Sequence, residues 1–401
     1  MAEKENTLIK DKHILICLDE EKDIMLAEFD YLKKNFCGLV LTKIDTSFLI
    51  SSDRIIYMCG NIQKIYDNVG DIKLNTIHVI KELSNNYDFC EKYTMIDIGE
   101  VPINIHNVGV YFRKFFNDKD YFNLIKSEHE FQALTESNKP NNAFRKGIYL
   151  TKVEENNDEI KHYLLRCSSN FNGATDNFRN TDNEIISKIN DICQYFFESN
   201  VELNHVLAQI YENNSKRKAK IKAHSDKTKD IPRNGLIVFC TFYDNPYNNN
   251  KIKKSKTDIF DYCYNETSVL TILHFKLKHT VKDENLTKEF SIILYPNSVF
   301  LIPLSTNRLY THEIRPSVLP YDMIPVRMGY VIRCSKTKAI FKNDQTYIYE
   351  DSQYIKLEKV NDDDLIGLRK LYYEENTTDK IINYGNINFS MNAGDYIRPI
   401  K

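Results

Sequence analysis

The 401-residue sequence contains no tryptophan, and it has only 12 glycines and 10 prolines. It lacks the glycine-rich loop that cradles phosphate groups and the HExxH sequence of helical zinc hydrolases, which disfavours nucleotide-driven chemistry and zinc hydrolysis. No apolar run approaches the roughly 20 residues that cross a bilayer. The sequence therefore predicts neither an integral membrane protein nor these two enzyme classes.

The charge composition excludes a global electrostatic attraction to nucleic acid. Lys and Arg number 54 against 56 Asp and Glu, which gives a formal net charge of -2 at pH 7. Any contact with a phosphate backbone must come from a local basic patch. The abundance of Asn, Lys, Ile and Tyr is typical of an AT-rich genome and resembles the composition of proteins from large DNA viruses. A lysine cluster is weaker evidence in such a sequence.

The nine cysteines form an odd set without regular spacing and without a CxxC pair. The sequence also begins without an apolar signal segment. We expect a reduced, intracellular chain, located in the cytoplasm, the nucleus or a viral factory, rather than a disulfide framework. The sequence gives no indication of the oligomeric state.

Hydrophobic periodicity divides the chain into three parts. Residues 1–95 combine strand patterns with helical patterns and predict a small α/β domain whose role is not readable. Its predicted strands lie at 13–17, 38–42 and 54–58, and its predicted helices at 21–36 and 61–69. Residues 96–340 form the central part, and residues 341–401 are a C-terminal extension with a helix predicted at 362–375.

The central part begins with two helical patterns, at 121–134 and 183–199, and then becomes rich in strands. Many short strands without intervening helices predict a sandwich or barrel, against which the two helices can pack. The strand-like runs lie at 207–211, 235–243, 269–277, 290–294, 298–302 and 328–332.

His224-Ser225-Asp226 is the first candidate metal-binding motif. Two imidazoles and one carboxylate are the donors that proteins offer ferrous iron when other coordination positions stay open, and residues two apart on a strand share a face. The tripeptide alone is weak evidence, because 10 histidines and 56 acidic residues produce about 1.4 such tripeptides by chance. A solvated His-Asp pair on a turn explains it equally well.

Residues further along the chain strengthen the metal interpretation. His312 follows a predicted pair of strands, so a neighbouring strand can bring it to the same point. Arg327 and Arg333 lie six residues apart in a strand-like run, and both therefore project to one face. Inside a barrel their unpaired charges would be costly, and a bound dicarboxylate would offset that cost. The alternative is an exposed outer face, which is the commoner position of arginine.

Three stretches resemble the AlkB-like branch of the iron(II)/2-oxoglutarate-dependent dioxygenase superfamily. They are the strand 207–211 followed by His224-Ser225-Asp226-Lys227, the block 307–312, and the run 327–333 with its six-residue arginine spacing. The resemblance covers residues 96–340. It implies an α+β fold with a double-stranded β-helix, or jelly-roll, core flanked by helices, in addition to the small N-terminal α/β domain.

The resemblance also implies Fe(II) as the metal, 2-oxoglutarate as the co-substrate and O2 as the oxidant. Arg327 is expected to hold the distal carboxylate of 2-oxoglutarate, and Tyr211 to hydrogen-bond this co-substrate. Arg333 and Gln209 are expected to line the same site. The implied iron ligands are His224, Asp226 and His312.

The sequence departs from the family pattern at several positions near the expected site. Gly329 and Val331 stand where the family usually has Asn and Ser or Thr, and Gln209 stands where Asn is common. Residues 212–222 add extra length before His224. We expect thinner polar support around 2-oxoglutarate as a result, which affects the substrate assignment more than the metal assignment.

Two lysine-rich loops, at 215–222 and 250–256, flank the expected active site and are candidates for contact with a phosphate backbone. The alternative is that both loops are merely solvated. An enzyme acting on a base must also stack that base on an aromatic or apolar side chain. Phe144 and Tyr149 are the candidates in the expected lid, although core positions suit them equally. Further candidate substrate residues are Lys218, Lys220, Lys227 and Arg308.

Three functional hypotheses follow from the sequence. The first is an AlkB-like dioxygenase that demethylates or hydroxylates a nucleic acid base. The second retains this chemistry but acts on a protein side chain or a small molecule. The third is a nucleic-acid-binding module without catalytic activity, to which the missing polar residues at Gly329 and Val331 would be suited.

Overall fold

The structure is a computed structural model that describes residues 4–18, 26–43, 54–64, 77–85, 93–135, 142–167, 169–199, 201–245, 249–350 and 352–401. Its fold is mixed α+β, with many antiparallel strands and less helix than strand. The predicted α+β class is confirmed at this level. Most of the helix predicted at 61–69 lies outside the described residues.

The N-terminal part contains a five-stranded parallel sheet of order β2-β1-β3-β4-β5. The first strand is buried along its whole length, as expected for a strand covered on both faces. The three predicted strands are therefore confirmed. The elements are β1 (His13–Leu18), α1 (Leu26–Asn35), β2 (Leu39–Leu41), β3 (Ile55–Asn61), β4 (Ile77–Asn85) and β5 (Thr94–Ile96).

Strands dominate the rest of the chain. Up to residue 243 they are β6 (Ile103–Ile105), β7 (Gly109–Phe112), β8 (Gln132–Thr135), β9 (Asn142–Thr151), β10 (Glu154–Asn156), β11 (Glu159–Leu164), β12 (Asn170–Phe171), β13 (Asp176–Asn177), β14 (His205–Tyr211), β15 (Ile221–His224) and β16 (Leu236–Tyr243). Beyond it they are β17 (Lys253–Lys254), β18 (Tyr262–Tyr264), β19 (Thr267–Ser268), β20 (Ile272–Leu277), β21 (Glu289–Ile293), β22 (Ser298–Pro303), β23 (Tyr310–Arg315), β24 (Arg327–Arg333), β25 (Thr337–Lys342), β26 (Gln345–Glu350) and β27 (Gln353–Lys356).

Four helices and three 3-10 turns are described after residue 96. The helices are α2 (Tyr121–Glu128), α3 (Asn180–Phe196), α4 (Leu304–Leu309) and α5 (Asp362–Thr377), with 3-10 turns at Ile98–Glu100, Tyr321–Met323 and Ala393–Tyr396. None of the helices in the described part of the chain combines the length and apolar character needed to cross a membrane.

Two sheets carry the centre of the molecule. The large sheet has the order β12-β8-β9-β14-β24-β16-β22-β7-β6, with β13 beside β9, and the small sheet has the order β15-β23-β20-β21. From β14 onward the chain alternates between them: β14 large, β15 small, β16 large, β20 and β21 small, β22 large, β23 small and β24 large. Strands β14 and β16 flank β24 and are buried at every position. They form the hydrophobic centre of the large sheet.

The C-terminal segment packs directly on the central part. Strand β25 pairs with β11 and with β26, so this five-stranded sheet joins strands from both sides of residue 340. Near its end, the Ile400 backbone N–H donates to the Thr175 carbonyl oxygen at 2.9 Å. The predicted helix at 362–375 is confirmed as α5.

The helix predicted at 121–134 is only half right, because α2 ends at Glu128 and β8 begins at Gln132. His129 takes an extended backbone and buries its ring between two carboxylates. Its Nδ1 lies 2.8 Å from Asp176 Oδ2, and its Nε2 lies 2.7 Å from Asp182 Oδ2. These contacts come from distant parts of the sequence and override the local helical pattern.

His129 is expected to be a charged structural residue rather than a metal ligand, although Glu128 and Asp182 beside it also offer ligand atoms. Both of its ring nitrogens face carboxylates, which only an imidazolium satisfies as a double donor. Burial lowers the pKa of His129, but the hydrogen bonds to Asp176 and Asp182 outweigh it and raise this pKa to about 9. The Tyr330 hydroxyl also donates to Asp182 Oδ1 at 2.8 Å.

This network predicts a pH dependence of stability. A raised pKa means that the stabilisation is complete below the unfolded pKa of 6.5 and is lost as the pH rises through about 9. We expect the stability difference between the wild type and His129→Gln to shrink by about 3 kcal/mol between pH 6 and pH 10. Urea unfolding at both pH values measures it. A pH-independent difference would show that folding does not raise the pKa of His129.

Candidate metal centre

Two neighbouring strands of the small sheet bring His224 and His312 together. Strand β15 runs antiparallel to β23, and the two histidines are direct partners in the register. Their ring centroids are 4.4 Å apart. Because paired residues on adjacent strands project to the same face, the sheet itself sets this juxtaposition.

Asp226 completes a group of three possible metal ligands. Its Oδ1 lies 3.7 Å from His224 Nε2 and 3.8 Å from His312 Nε2. Both distances are shorter than about 4.2 Å, twice the metal–ligand bond length of roughly 2.1 Å. All three ligand atoms lie within 4.8 Å of one another, so these side chains could hold a metal ion. The two imidazoles and one carboxylate are those that the sequence pattern singled out.

The protonation states of these side chains suit a metal. His224 Nδ1 is 2.8 Å from the Lys222 carbonyl oxygen and must donate to it, which leaves the Nε2 lone pair facing Asp226. Burial lowers the pKa of His224, and it lowers the pKa of His312 to about 3. Both imidazoles are therefore neutral at pH 7, as metal ligands must be.

Arg333 holds the carboxylate of Asp226 in its ionised form. Its Nε and Nη2 donate to Asp226 Oδ2 at 2.8 and 2.7 Å, whereas Oδ1 faces the two histidines. Burial alone would raise the pKa of Asp226, but the guanidinium outweighs that effect and holds the pKa below its usual range. One carboxylate oxygen is thus used by Arg333, and the other faces the imidazoles.

Asn307 fixes the backbone on which Asp226 stands. Its Oδ1 accepts from the Asp226 backbone N–H at 2.8 Å, and its Nδ2 donates to the Asp226 carbonyl oxygen at 3.0 Å. Asn307 belongs to the block 307–312 of the sequence pattern, but the pattern predicts no role for it. The periodicity gives no signal for this contact, which joins positions 81 residues apart.

A cavity of about 560 Å³ opens beside these ligands. On its large-sheet side, β14 and β24 are antiparallel neighbours, with Tyr211 opposite Arg327 and Gln209 opposite Gly329. The structure brings together in this cavity every residue predicted to bind the metal or the co-substrate. These residues are His224, Asp226, His312, Arg327, Tyr211, Arg333 and Gln209.

Arg327 lies in the cavity with unused hydrogen-bonding capacity. It is only 3% exposed, and its Nε and Nη2 find no hydrogen-bond partner in the described part of the chain. The guanidinium stacks on the ring of Tyr211 at 4.1 Å, and the Tyr211 hydroxyl donates to Gln209 Oε1 at 3.2 Å. A buried, unpaired guanidinium is costly unless an anion binds it.

Gly329 explains how the guanidinium fits. A Cβ atom at this position would lie 3.0 Å from Arg327 Nη1 and 3.3 Å from the Tyr211 ring. Glycine leaves this space open for the stacked pair. The departure from the family pattern at position 329 therefore has a steric role here, rather than only removing a polar group.

The lysine-rich loop at 215–222 contributes unequally to the cavity. Arg217, Lys220 and Lys222 line it, together with Arg145 from β9. Lys218 turns away, because its Nζ donates to the Ser317 carbonyl oxygen at 2.9 Å. One of the two lysines predicted from this loop thus lies at the cavity, and the other anchors the loop.

Two further substrate candidates are held by other contacts. Lys227 lines the cavity, but its Nζ donates to Asn376 Oδ1 at 2.8 Å and to the Tyr372 carbonyl oxygen at 3.2 Å. Arg308 lies outside the cavity and forms a bidentate pair with Glu5, at 2.7 and 2.8 Å. Neither side chain is poised for a substrate in this arrangement.

Tyr149 and the described residues of the second basic loop do not line the cavity. Tyr149 packs in a buried cluster with Leu134, Phe171 and Leu207. Phe144 belongs to β9, and its side chain lies outside the described part of the structure. In the loop 250–256, none of the described residues lines the cavity, and an exposed lysine pair forms β17.

The donor set fits both groups that the sequence resemblance implies. Two neutral imidazoles and one carboxylate suit Fe(II). The Nε and Nη2 donors of Arg327, which no described residue accepts, suit a carboxylate of 2-oxoglutarate. No family model matches the chain, and no curated protein matches it. The chain's own geometry therefore carries the functional argument.

Proposed function

We propose that this protein is an Fe(II)- and 2-oxoglutarate-dependent dioxygenase of the AlkB-like type, which demethylates or hydroxylates a nucleic acid base. The observation that carries the proposal is Arg327, a buried guanidinium whose Nε and Nη2 have no hydrogen-bond partner among the described residues, in the same cavity as the His224, Asp226 and His312 ligands. A metal site alone would suit many proteins. A metal site beside an unsatisfied carboxylate receptor suits a 2-oxo acid co-substrate.

The strand order is the second support. We propose that β14, β15, β16 and β20 to β24 form a double-stranded β-helix core, because the chain alternates between the large and small sheets along these strands. Such a core places the facing surfaces of two antiparallel sheets around a central cavity. The metal ligands then come from the small sheet and the loop after it, and the co-substrate residues come from the large sheet.

Each residue of the site would have a distinct role toward the metal or the co-substrate. His224, Asp226 and His312 would hold the iron, and Arg333 would keep the Asp226 carboxylate ionised and oriented. When bound, Fe(II) with 2-oxoglutarate supplies activation of O2 and oxidation of a C–H bond. Arg327 would neutralise a carboxylate of the co-substrate through paired N–H donors.

The substrate assignment rests on charge at the cavity rim. Arg145, Arg217, Lys220 and Lys222 line the cavity without an acidic residue among the lining except Asp226. A cluster of four cationic side chains can follow a phosphate backbone while a base enters the cavity. The chain-wide net charge of -2 makes this local excess of positive charge more informative.

Succinate formation tests the proposal and separates the alternatives. We expect the protein with Fe(II) and 2-oxoglutarate to form succinate faster in the presence of methylated oligonucleotides than of unmethylated ones or peptides. Stimulation by peptides or metabolites alone would assign the same chemistry to a different substrate. Oligonucleotide binding without any iron-dependent turnover would identify a binding module and contradict the enzymatic proposal.

Removing two charges at the rim is expected to weaken nucleic acid binding in a salt-dependent way. For Lys220→Ala combined with Lys222→Ala, we expect the slope of log K against log salt to fall by about 1.8, because each lost phosphate contact removes roughly 0.9. Fluorescence anisotropy with a labelled oligonucleotide measures the slope. Lys253→Ala with Lys254→Ala, an exposed pair in β17, is the charge-matched control. Equal losses in both variants would contradict a specific role of the rim.

A further inference from the structure

The end of α5 touches the loop that carries Asp226. Residues 225–228 follow β15 and belong to no helix or strand. Their backbone N–H and C=O groups therefore need hydrogen-bond partners other than those of a regular helix or sheet. The Oδ1 atom of Asn376, in the last turn of α5, accepts from the Ser225 backbone N–H at 2.8 Å and from Lys227 Nζ at 2.8 Å. Asn376 thus binds both neighbours of Asp226.

Glu375 extends this contact by one residue. Its Oε1 accepts from the Thr228 backbone N–H at 3.1 Å and from the Thr228 hydroxyl at 2.5 Å. Its other oxygen accepts from the Tyr384 hydroxyl at 2.5 Å. Glu375 is only 5% exposed, so these hydrogen bonds replace water that the carboxylate has lost.

The loop is consequently held from two sides. On one side, Asn307 binds the backbone of Asp226. Asn307 lies in α4, directly before β23, the strand that carries His312. Asn376 and Glu375 bind positions 225, 227 and 228 from the C-terminal extension, which lies outside the region that resembles the dioxygenases. Arg333 fixes the carboxylate and Asn307 fixes the Asp226 peptide, so the C-terminal contacts add the restraint on the residues on either side of Asp226.

We propose that the C-terminal helix is a working part of the metal centre and that Asn376 is a positioning residue for Asp226. This inference rests on the proposed function, because it assigns a role toward the metal that His224, Asp226 and His312 would hold. Groups that orient metal ligands through hydrogen bonds typically change metal affinity by 10- to 100-fold when removed. Asn376 acts through the backbone on either side of the ligand.

Cobalt(II) binding to the 401-residue protein tests this role without any requirement for catalysis. Asn376→Leu keeps the size of the side chain but removes the acceptor, and we expect it to raise the cobalt dissociation constant by about 10-fold or more and to alter the cobalt d–d absorption spectrum. Asn376→Asp retains an acceptor for Ser225 and Lys227. We expect this conservative variant to bind cobalt within about 3-fold of the wild type, since a charge-assisted acceptor is preserved.

Asn361→Ala is the matched control. Asn361 caps the same helix by accepting from the Asp364 backbone N–H at 2.8 Å, but it lies at the opposite end from the loop. We expect this variant to lower the unfolding temperature while leaving cobalt affinity and the spectrum unchanged. Amide exchange at Ser225 in the metal-free protein should rise in Asn376→Leu and not in Asn361→Ala.

The outcomes separate this inference from the functional proposal. Wild-type protein that binds no cobalt at the three ligands would contradict the metal centre itself. Wild-type protein that binds cobalt, together with an Asn376→Leu variant of equal affinity and identical spectrum, would overturn only the role of Asn376. A third outcome is that both Asn376→Leu and Asn361→Ala lose cobalt affinity in proportion to the decrease in their unfolding temperatures. That result would mean that Asn376 only stabilises the fold, and it would overturn the inference too.

Discussion

Asp226→Ala is expected to lower iron-dependent decarboxylation of 2-oxoglutarate by at least about 100-fold, because it removes the only carboxylate of the proposed metal site. Both imidazoles lie within 3.8 Å of Asp226 Oδ1, so an ion held by the histidines alone would lose its anionic ligand. Succinate formation at saturating 2-oxoglutarate measures the effect. The iron dissociation constant, measured in parallel, should rise as well.

A control must separate ligand loss from misfolding in this variant. Removing Asp226 leaves Arg333 buried without its partner, which typically costs about 3–5 kcal/mol. Combining Asp226→Leu with Arg333→Met removes both charges, and we expect it to recover most of that stability without recovering turnover. Wild-type turnover in a folded Asp226→Ala protein would contradict the assignment of Asp226 as an iron ligand.

Arg327→Met is expected to have opposite effects on stability and on co-substrate binding. Two of its buried nitrogens have no hydrogen-bond partner in the part of the chain that the structure describes, so replacing the guanidinium with an apolar chain should leave the metal-free protein as stable or up to about 2 kcal/mol more stable. The same change removes the proposed receptor for a carboxylate. We expect the KM for 2-oxoglutarate to rise by about 100-fold, since losing one partner of a buried charge pair costs roughly 2–5 kcal/mol.

Arg308→Met is the matched control for Arg327→Met. Arg308 belongs to the block 307–312, and the structure places it outside the cavity, in a partly exposed pair with Glu5. Its loss should cost at most about 1 kcal/mol and leave the KM for 2-oxoglutarate unchanged. A KM in Arg327→Met equal to that of the wild type would show that this guanidinium binds something other than 2-oxoglutarate.

Local spacing predicted the parts of the site that lie on one strand or close to its end. Arg327 and Arg333 line one cavity because six residues along β24 return to the same face, and Tyr330 between them points the other way, to Asp182. The predicted strands 207–211 and 328–332 are confirmed as parts of β14 and β24. Their pairing, which places Tyr211 opposite Arg327, follows from tertiary structure and not from either strand alone.

Long-range contacts explain what the sequence could not predict. Lys218 and Arg308 are cationic side chains in suitable places along the chain, but their partners, Ser317 and Glu5, lie 99 and 303 residues away. No local sequence pattern predicts the role of Asn376, because Asn376 and its partner Ser225 lie 151 residues apart in the sequence. Composition and periodicity carry no information about such pairs.

The proposed function requires one cavity to hold both a metal and a 2-oxo acid. A crystal structure of the protein with Co(II) and 2-oxoglutarate under anaerobic conditions tests it most directly. We expect a metal within roughly 2.1 Å of His224 Nε2, Asp226 Oδ1 and His312 Nε2, and a carboxylate of 2-oxoglutarate on the Arg327 guanidinium. A metal bound elsewhere, or 2-oxoglutarate absent from Arg327 while the metal is bound, would contradict it.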